Sequence, residues 1–270
     1  MYRVMETSDE STSIATSGNS SNLVGVPTGL LASASFNDFP IPLCIRGTRE
    51  THAALFDSLN KTKEFNEARR LFQKYMNSRY GFERKRNGAR RFYASYLQVL
   101  EDWGFDSNGQ AGAVLKGWVE SRFGLFPTFH KEPIRRFNSP AWITYVEEKM
   151  SSRFNNNDIM EQFDLLYEFC QLAMLRFLAT GKKHLRLYRG TNDMKEMEQD
   201  PKSAIVRMHN LASFTRERGI ADEFGDTIIE AEVPVVKVLS FNELLMPHAL
   251  QGESEYLVIG GDYRVKASYY

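Results

Sequence analysis

Gly181, followed by Leu185-Arg186-Leu187-Tyr188-Arg189-Gly190-Thr191, is the point at which the chain stops reading as helices and starts reading as strands. Beyond it stand short runs rich in β-branched and aromatic residues: Leu185–Tyr188, Leu211–Thr215, Thr227–Val233, Val235–Leu239, Tyr256–Ile259 and Tyr263–Ser268. Such runs predict mainly antiparallel strands. Helix-like pieces fall between them at about Pro201–Met208 and Arg218–Phe224.

Toward the N-terminus, from about Glu50 to Thr180, apolar residues return every three or four positions, as in Phe65, Ala68, Leu71, Phe72, Tyr75 and Met76, and again in Phe92, Tyr96, Leu97 and Leu100. That spacing predicts several amphipathic helices. Breaks are expected at Tyr80-Gly81, at Trp103-Gly104 with Asp106-Ser107-Asn108-Gly109, and at Glu132-Pro133. A last helix starts with Asn157 or Asp158 as its N-cap and runs to Thr180, where Gly181 ends it. The fold class is therefore α+β, a helical N-terminal half followed by a mainly antiparallel sheet region, with no internal repeat. Residues 1–21 read as a disordered leader, 22–180 as a mainly helical region and 181–270 as the sheet core, the last two packed as one compact domain.

The 270 residues are 42% hydrophobic, enough for a sizeable core, and Lys plus Arg balances Asp plus Glu at 34 each. Zero net charge argues against a general electrostatic grip on nucleic acid or an anionic membrane, so partners must be found by shape and local charge. Cys44 and Cys170 lack the close spacing of zinc or dithiol sites, which suits a reduced, cytoplasmic chain. The Ser-, Thr- and Asn-rich start has no apolar stretch after a basic one and so is no secretory signal. The run Phe163–Leu178 carries Asp164, Glu168 and Arg176 and is too short and too charged to span a bilayer. His130, His184, His209 and His248 are scattered without ligand spacing, so no metal site is expected. The basic cluster Arg84-Lys85-Arg86 with Arg90-Arg91 reads as a solvated loop and helix start, with docking of an acidic partner as the alternative.

Three segments of the sheet region carry chemistry. A guanidinium at a strand end, Arg189, suits bidentate phosphate binding, and Gly190 lets a ligand approach the backbone; alone, the pair is equally an exposed arginine before a turn. In Ala212-Ser213-Phe214-Thr215, the hydroxyls of Ser213 and Thr215 share one face of a strand while Phe214 either caps a cleft or enters the core. In Gly252-Glu253-Ser254-Glu255-Tyr256-Leu257-Val258-Ile259, two carboxylates sit two apart at the entry to an apolar strand, a repulsive arrangement unless it has a use or is solvated.

Arginine with glycine, then a Ser/Thr strand, then Glu-x-Glu, in that order, resembles the arginine-specific, R-S-E class of ADP-ribosyltransferases. The stretches Asn22–Ser33, Trp103–Gly109, Leu115–Gly124 and Phe126–Pro133 are similar to the branch of that class that acts on the nitrogenase iron protein, and they extend the resemblance over nearly the whole chain after the leader. The resemblance implies a two-sheet NAD-binding core and transfer of ADP-ribose from NAD, consumed as a substrate, to a protein arginine. It implies Glu255, Glu253 and Ser213 as catalytic residues: Glu255 engages the nicotinamide ribose, Ser213 orients Glu255, and Glu253 meets the acceptor guanidinium. Arg189, Gly190, Ser213, Phe214 and Thr215 are the implied NAD-binding residues. Phe214 and Thr215 stand where the class usually has Thr and Ser. The implied partners are the nitrogenase iron protein as substrate and a PII-family nitrogen-signal protein as regulator, with the helical region recognising them. The alternatives are a transferase or NAD glycohydrolase with another target, and a non-catalytic binding module of the same fold.

Overall fold

Ser and Asn side chains set the starts of several helices. Ser33, Ser95, Ser139 and Asn156 each accept a hydrogen bond from the main-chain N–H three residues on, at 3.2, 3.3, 3.2 and 3.0 Å, satisfying a donor that the helix cannot. Gly81 and Gly124 end two helices in the left-handed conformation, at φ 70° and 75°. The computed structural model describes residues 22–82, 94–192, 196–200, 203–246, 250 and 254–269. The leader, the basic cluster from Arg84 to Arg91, His248 and Glu253 lie outside them.

The helices are α1 (Thr28–Ala32), α2 (Ala34–Asp38), α3 (Thr48–Thr51), α4 (Ala53–Lys61), α5 (Phe65–Tyr80), α6 (Tyr96–Phe105), α7 (Gln110–Phe123), α8 (Pro140–Ser151), α9 (Asn157–Ala173, continued by a π turn Met174–Leu178) and α10 (Arg218–Asp222). A small ladder of β1 (Phe129–His130) and β2 (Glu132–Pro133) precedes α8. The main strands are β3 (His184–Thr191), β4 (Glu196–Asp200), β5 (Ser203–Thr215), β6 (Thr227–Pro234), β7 (Val238–Phe241) and β8 (Glu255–Tyr269).

All described strand pairs are antiparallel, in the order β4-β5-β3-β6-β8-β7, with β5 also paired to β8. The pairings β5–β3, β3–β6, β6–β8 and β8–β5 close a ring. Strand β8 makes this closure possible: its first part pairs with β7 and β5, and its last part with β6.

Helix α9 is buried on every face from Gln162 to Ala173, as befits a central helix rather than a surface one. It is fixed to the region around β7 by polar contacts. Tyr167 Oη donates to the Val236 carbonyl and Gln171 Nε2 to that of Val238, both at 2.8 Å. Helix α7 is buried from Ala111 to Val119 and leans on β5, where Asn210 Nδ2 donates to the carbonyls of Lys116 and Leu125 at 2.9 and 3.1 Å. One apolar cluster runs through helices and sheet alike, from Phe72, Val99 and Trp118 to Leu187, Leu257 and Ile259.

The expected order of helices first and antiparallel sheet last is what the molecule has. Of Pro201–Met208, expected as helical, Ser203–Met208 belongs instead to β5, with burial alternating along Ala204, Val206 and Met208 with period two, while Pro201 and Lys202 lie outside the described residues. Val235–Leu239 divides into a 3₁₀ turn, Val235–Lys237, and the start of β7. Helix α9 is capped by Asn156, one residue before the expected start, and α6 runs through Gly104 to Phe105. Glu132-Pro133 is a strand of the small ladder, turned by Lys131 at φ 59°.

Candidate active site

Strands β3, β5 and β8 bring Arg189, Ser213 and Glu255 together at one end of the sheet. Tyr188 of β3 pairs with Thr215 of β5, and Thr215 pairs in turn with Glu255, the first residue of β8. Ser213, two residues before Thr215, shares its face. Its Oγ donates to Glu255 Oε1 at 2.7 Å. The Arg189 guanidinium reaches the same residue from the other side, Nη1 donating to the Ser213 carbonyl at 2.7 Å. Burial lowers the Arg189 pKa from its ordinary value, and the nearby Glu255 carboxylate opposes that fall. Position 255 is 8% exposed, so its carboxylate is held largely away from bulk water.

The turn before β8 is itself constrained. Ser254 adopts φ 50°, a left-handed conformation costing a non-glycine residue roughly 1 kcal/mol, and its Oγ donates to Glu217 Oε1 at 2.7 Å. Just after Glu255, the Tyr256 ring stacks on Phe241 with centroids 5.5 Å apart and carries the Arg216 guanidinium 4.9 Å above it. Glu255 thus stands between two anchored neighbours.

A cleft of about 430 Å³ opens over these groups, within the range of about 300–1,000 Å³ usual for small-molecule sites. It is lined by Tyr188, Arg189, Gly190, Ser213, Phe214, Thr215 and Glu255 from the sheet, Ile220, Ala221 and Phe224 in and just after α10, and Trp103 to Ser107 from the end of α6 and the residues after it. Phe105 and Phe224 stand on its rim, 78% and 68% exposed. The Phe214 ring is 3% exposed and packs toward Tyr263, with centroids 6.4 Å apart, so this aromatic belongs to the core. Thr215 is also buried, and its Oγ1 accepts from the Glu217 N–H at 3.2 Å. Space beside Gly190 is filled by α10: a Cβ there would lie 1.9 Å from the Ala221 carbonyl oxygen. Close helix packing therefore requires this glycine.

Reading the sequence for site residues missed the contribution of α6. Trp103 Nε1 donates to Ser213 Oγ at 3.1 Å, and Lys116 Nζ lies 6.0 Å from the centre of the Trp103 ring on the core side. Lys116 is buried, donates to Asn108 Oδ1 and the Phe129 carbonyl at 2.9 and 3.1 Å, and is pushed down to about 8 by desolvation. Helical periodicity marks Trp103 as apolar but says nothing of where its N–H points. The only hint was the unusual run Trp103-Gly104-Phe105-Asp106. Among the described residues no cluster of His, Cys, Asp and Glu is arranged to hold a metal ion.

The chain's kinship agrees with this geometry. No solved structure matches it. It is 54% identical over 264 residues to the NAD(+)–dinitrogen-reductase ADP-D-ribosyltransferase of Rhodospirillum rubrum, covering 93% of this chain and 96% of that protein. The family model for dinitrogenase reductase ADP-ribosyltransferase matches residues 21–267. With that match over most of its length, the chain belongs to the dinitrogenase reductase ADP-ribosyltransferase family.

Proposed function

We propose that the protein is an NAD-dependent mono-ADP-ribosyltransferase that modifies an arginine of the nitrogenase iron protein, inactivating it and switching off nitrogen fixation. The observation that carries this reading is the hydrogen bond from Ser213 to Glu255 beside Arg189 in a single cleft, in a chain of this family.

The chemistry follows from the charge that develops. When the bond from C1′ of the ribose to nicotinamide breaks, its electron pair leaves with nicotinamide and the sugar becomes oxocarbenium-like, so a carboxylate beside C1′ favours the transition state. Glu255 supplies that carboxylate and Ser213 fixes its orientation. Arg189 holds the NAD phosphates with its planar fork of donors. An acceptor guanidinium is no nucleophile while protonated; Glu253 takes its proton, and the freed nitrogen bonds to C1′. The helical region 22–180 recognises the iron protein, and a PII-family protein regulates the enzyme in the cytoplasm. None of the described helices is long and apolar enough to cross a membrane.

Transfer of labelled ADP-ribose from NAD to purified iron protein tests the assignment. The wild-type enzyme labels one arginine, Glu255→Gln loses NAD turnover, and Glu253→Gln hydrolyses NAD without transfer. NAD consumption with no label on the iron protein would overturn the target, and untouched NAD in the presence of a PII-family protein would overturn the chemistry.

A further inference from the structure

We infer that Trp103, contributed by the helical region, is a positioning residue of the reaction, acting through Ser213 on Glu255; this rests on the transferase reading above. The indole N–H can only donate, and the Ser213 hydroxyl has one proton. Because Trp103 Nε1 donates to Ser213 Oγ at 3.1 Å, Ser213 accepts at that end and spends its proton on Glu255 Oε1, 2.7 Å away. The relay therefore has one direction, from indole to hydroxyl to carboxylate. A hydroxyl that accepts a hydrogen bond is also a better donor, so the indole strengthens the bond on the carboxylate that faces the developing cation.

Two further features support a positioning role. Trp103 is 5% exposed, and a buried indole N–H needs a partner, so its bond to Ser213 is kept when the cleft fills. Lys116 Nζ, 6.0 Å from the indole ring centre, draws density from the ring and makes the N–H a stronger donor. Without the indole N–H, the Ser213 hydroxyl is free to turn toward water or a substrate oxygen, leaving Glu255 without its guide.

The test compares wild type with Trp103→Phe and with a chain carrying 3-benzothienylalanine at position 103, which replaces the indole N–H by sulfur and keeps the ring's shape. Each is measured alone and with Ser213→Ala, following kcat and KM for NAD. We expect kcat to fall about tenfold in both single variants, about 1.4 kcal/mol of transition-state stabilisation, with KM for NAD within about threefold of wild type. In the Ser213→Ala background the same replacements change kcat less than about twofold, because their effect is routed through the missing hydroxyl. A benzothienylalanine enzyme with wild-type kcat overturns the inference, as do losses that multiply in the Ser213→Ala background. A wild-type enzyme that leaves NAD untouched overturns the transferase reading and this inference with it; a wild-type enzyme active on NAD with unaffected position-103 variants overturns the inference alone.

Discussion

The carbonyl oxygen of Ala221 occupies the place that a side chain at Gly190 would take, 1.9 Å from where a Cβ would stand. Helix α10 is seated on β3 by that gap, and α10 forms one wall of the cleft. Gly190→Ala should therefore push α10 outward, destabilising the fold by roughly 1–3 kcal/mol through overpacking and lowering transfer activity more than tenfold. Urea unfolding and the labelling assay check the two effects; wild-type values for both would show that α10 yields without cost.

Ser213→Ala removes the hydroxyl but leaves the main-chain carbonyl to which Arg189 donates. A hydrogen bond to a charged group contributes roughly 1.5–3 kcal/mol, so kcat should fall roughly 10- to 100-fold with little change in KM for NAD. A rise in KM with unchanged kcat would place Ser213 in binding rather than in orienting Glu255.

Arg189→Lys keeps the charge and loses the fork. Lysine cannot reach both the Ser213 carbonyl and a diphosphate with fixed geometry, so KM for NAD should rise by about tenfold or more while the melting temperature changes little. Equal KM values would exclude a bidentate phosphate role.

Lys237 gives the pH dependence of stability. Its Nζ is buried, donates to the Leu31 and Gly260 carbonyls at 2.7 and 2.9 Å, and is pushed down by desolvation to about 7. The unfolded chain holds this proton up to about 10.4, so above pH 7 it binds more protons at this site than the folded chain does. Stability from this residue therefore rises with pH from about 7, by at most about 1.4 kcal/mol per unit, and below pH 7 its charge is a constant cost. Urea unfolding at pH 6, 7, 8 and 9 should show the rise in wild type and its loss in Lys237→Met.

Much of the fold was legible because periodicity reports burial. The heptad-like spacing of Ala68, Phe72 and Met76 became the buried face of α5, with Phe65 half-buried beside it, and the alternation around Leu185 and Leu187 became β3. The misreading over Ser203–Met208 has a physical source: a strand paired on both sides keeps few polar positions, and Met and Ala serve helix and strand alike. At the cleft, Arg189, Ser213 and Glu255 were visible as residue types in order, since chemistry restricts which side chains serve. Trp103 was not, because an indole on a helix face reads as core until the direction of its N–H is known. Lys237 lies inside Val235–Leu239, expected as a strand, and nothing in that run tells that its Nζ is buried against the Leu31 and Gly260 carbonyls.

The ring of strands also makes the site depend on one strand. Glu255 lies 42 residues after Ser213, as the first residue of a strand that pairs with β5, β6 and β7. The N-terminal helices are tied to the same strand, since Asn37 Nδ2 donates to the Asp262 carbonyl at 2.7 Å and Lys237 bridges Leu31 to Gly260. A chain still emerging from the ribosome, or one cut before residue 255, has the described helices and the other cleft-lining residues but lacks the Glu255 carboxylate and the strand that closes the ring. Competence to modify a partner thus depends on β8, the last described strand, which joins β5 and β7 near its start to β6 at its end.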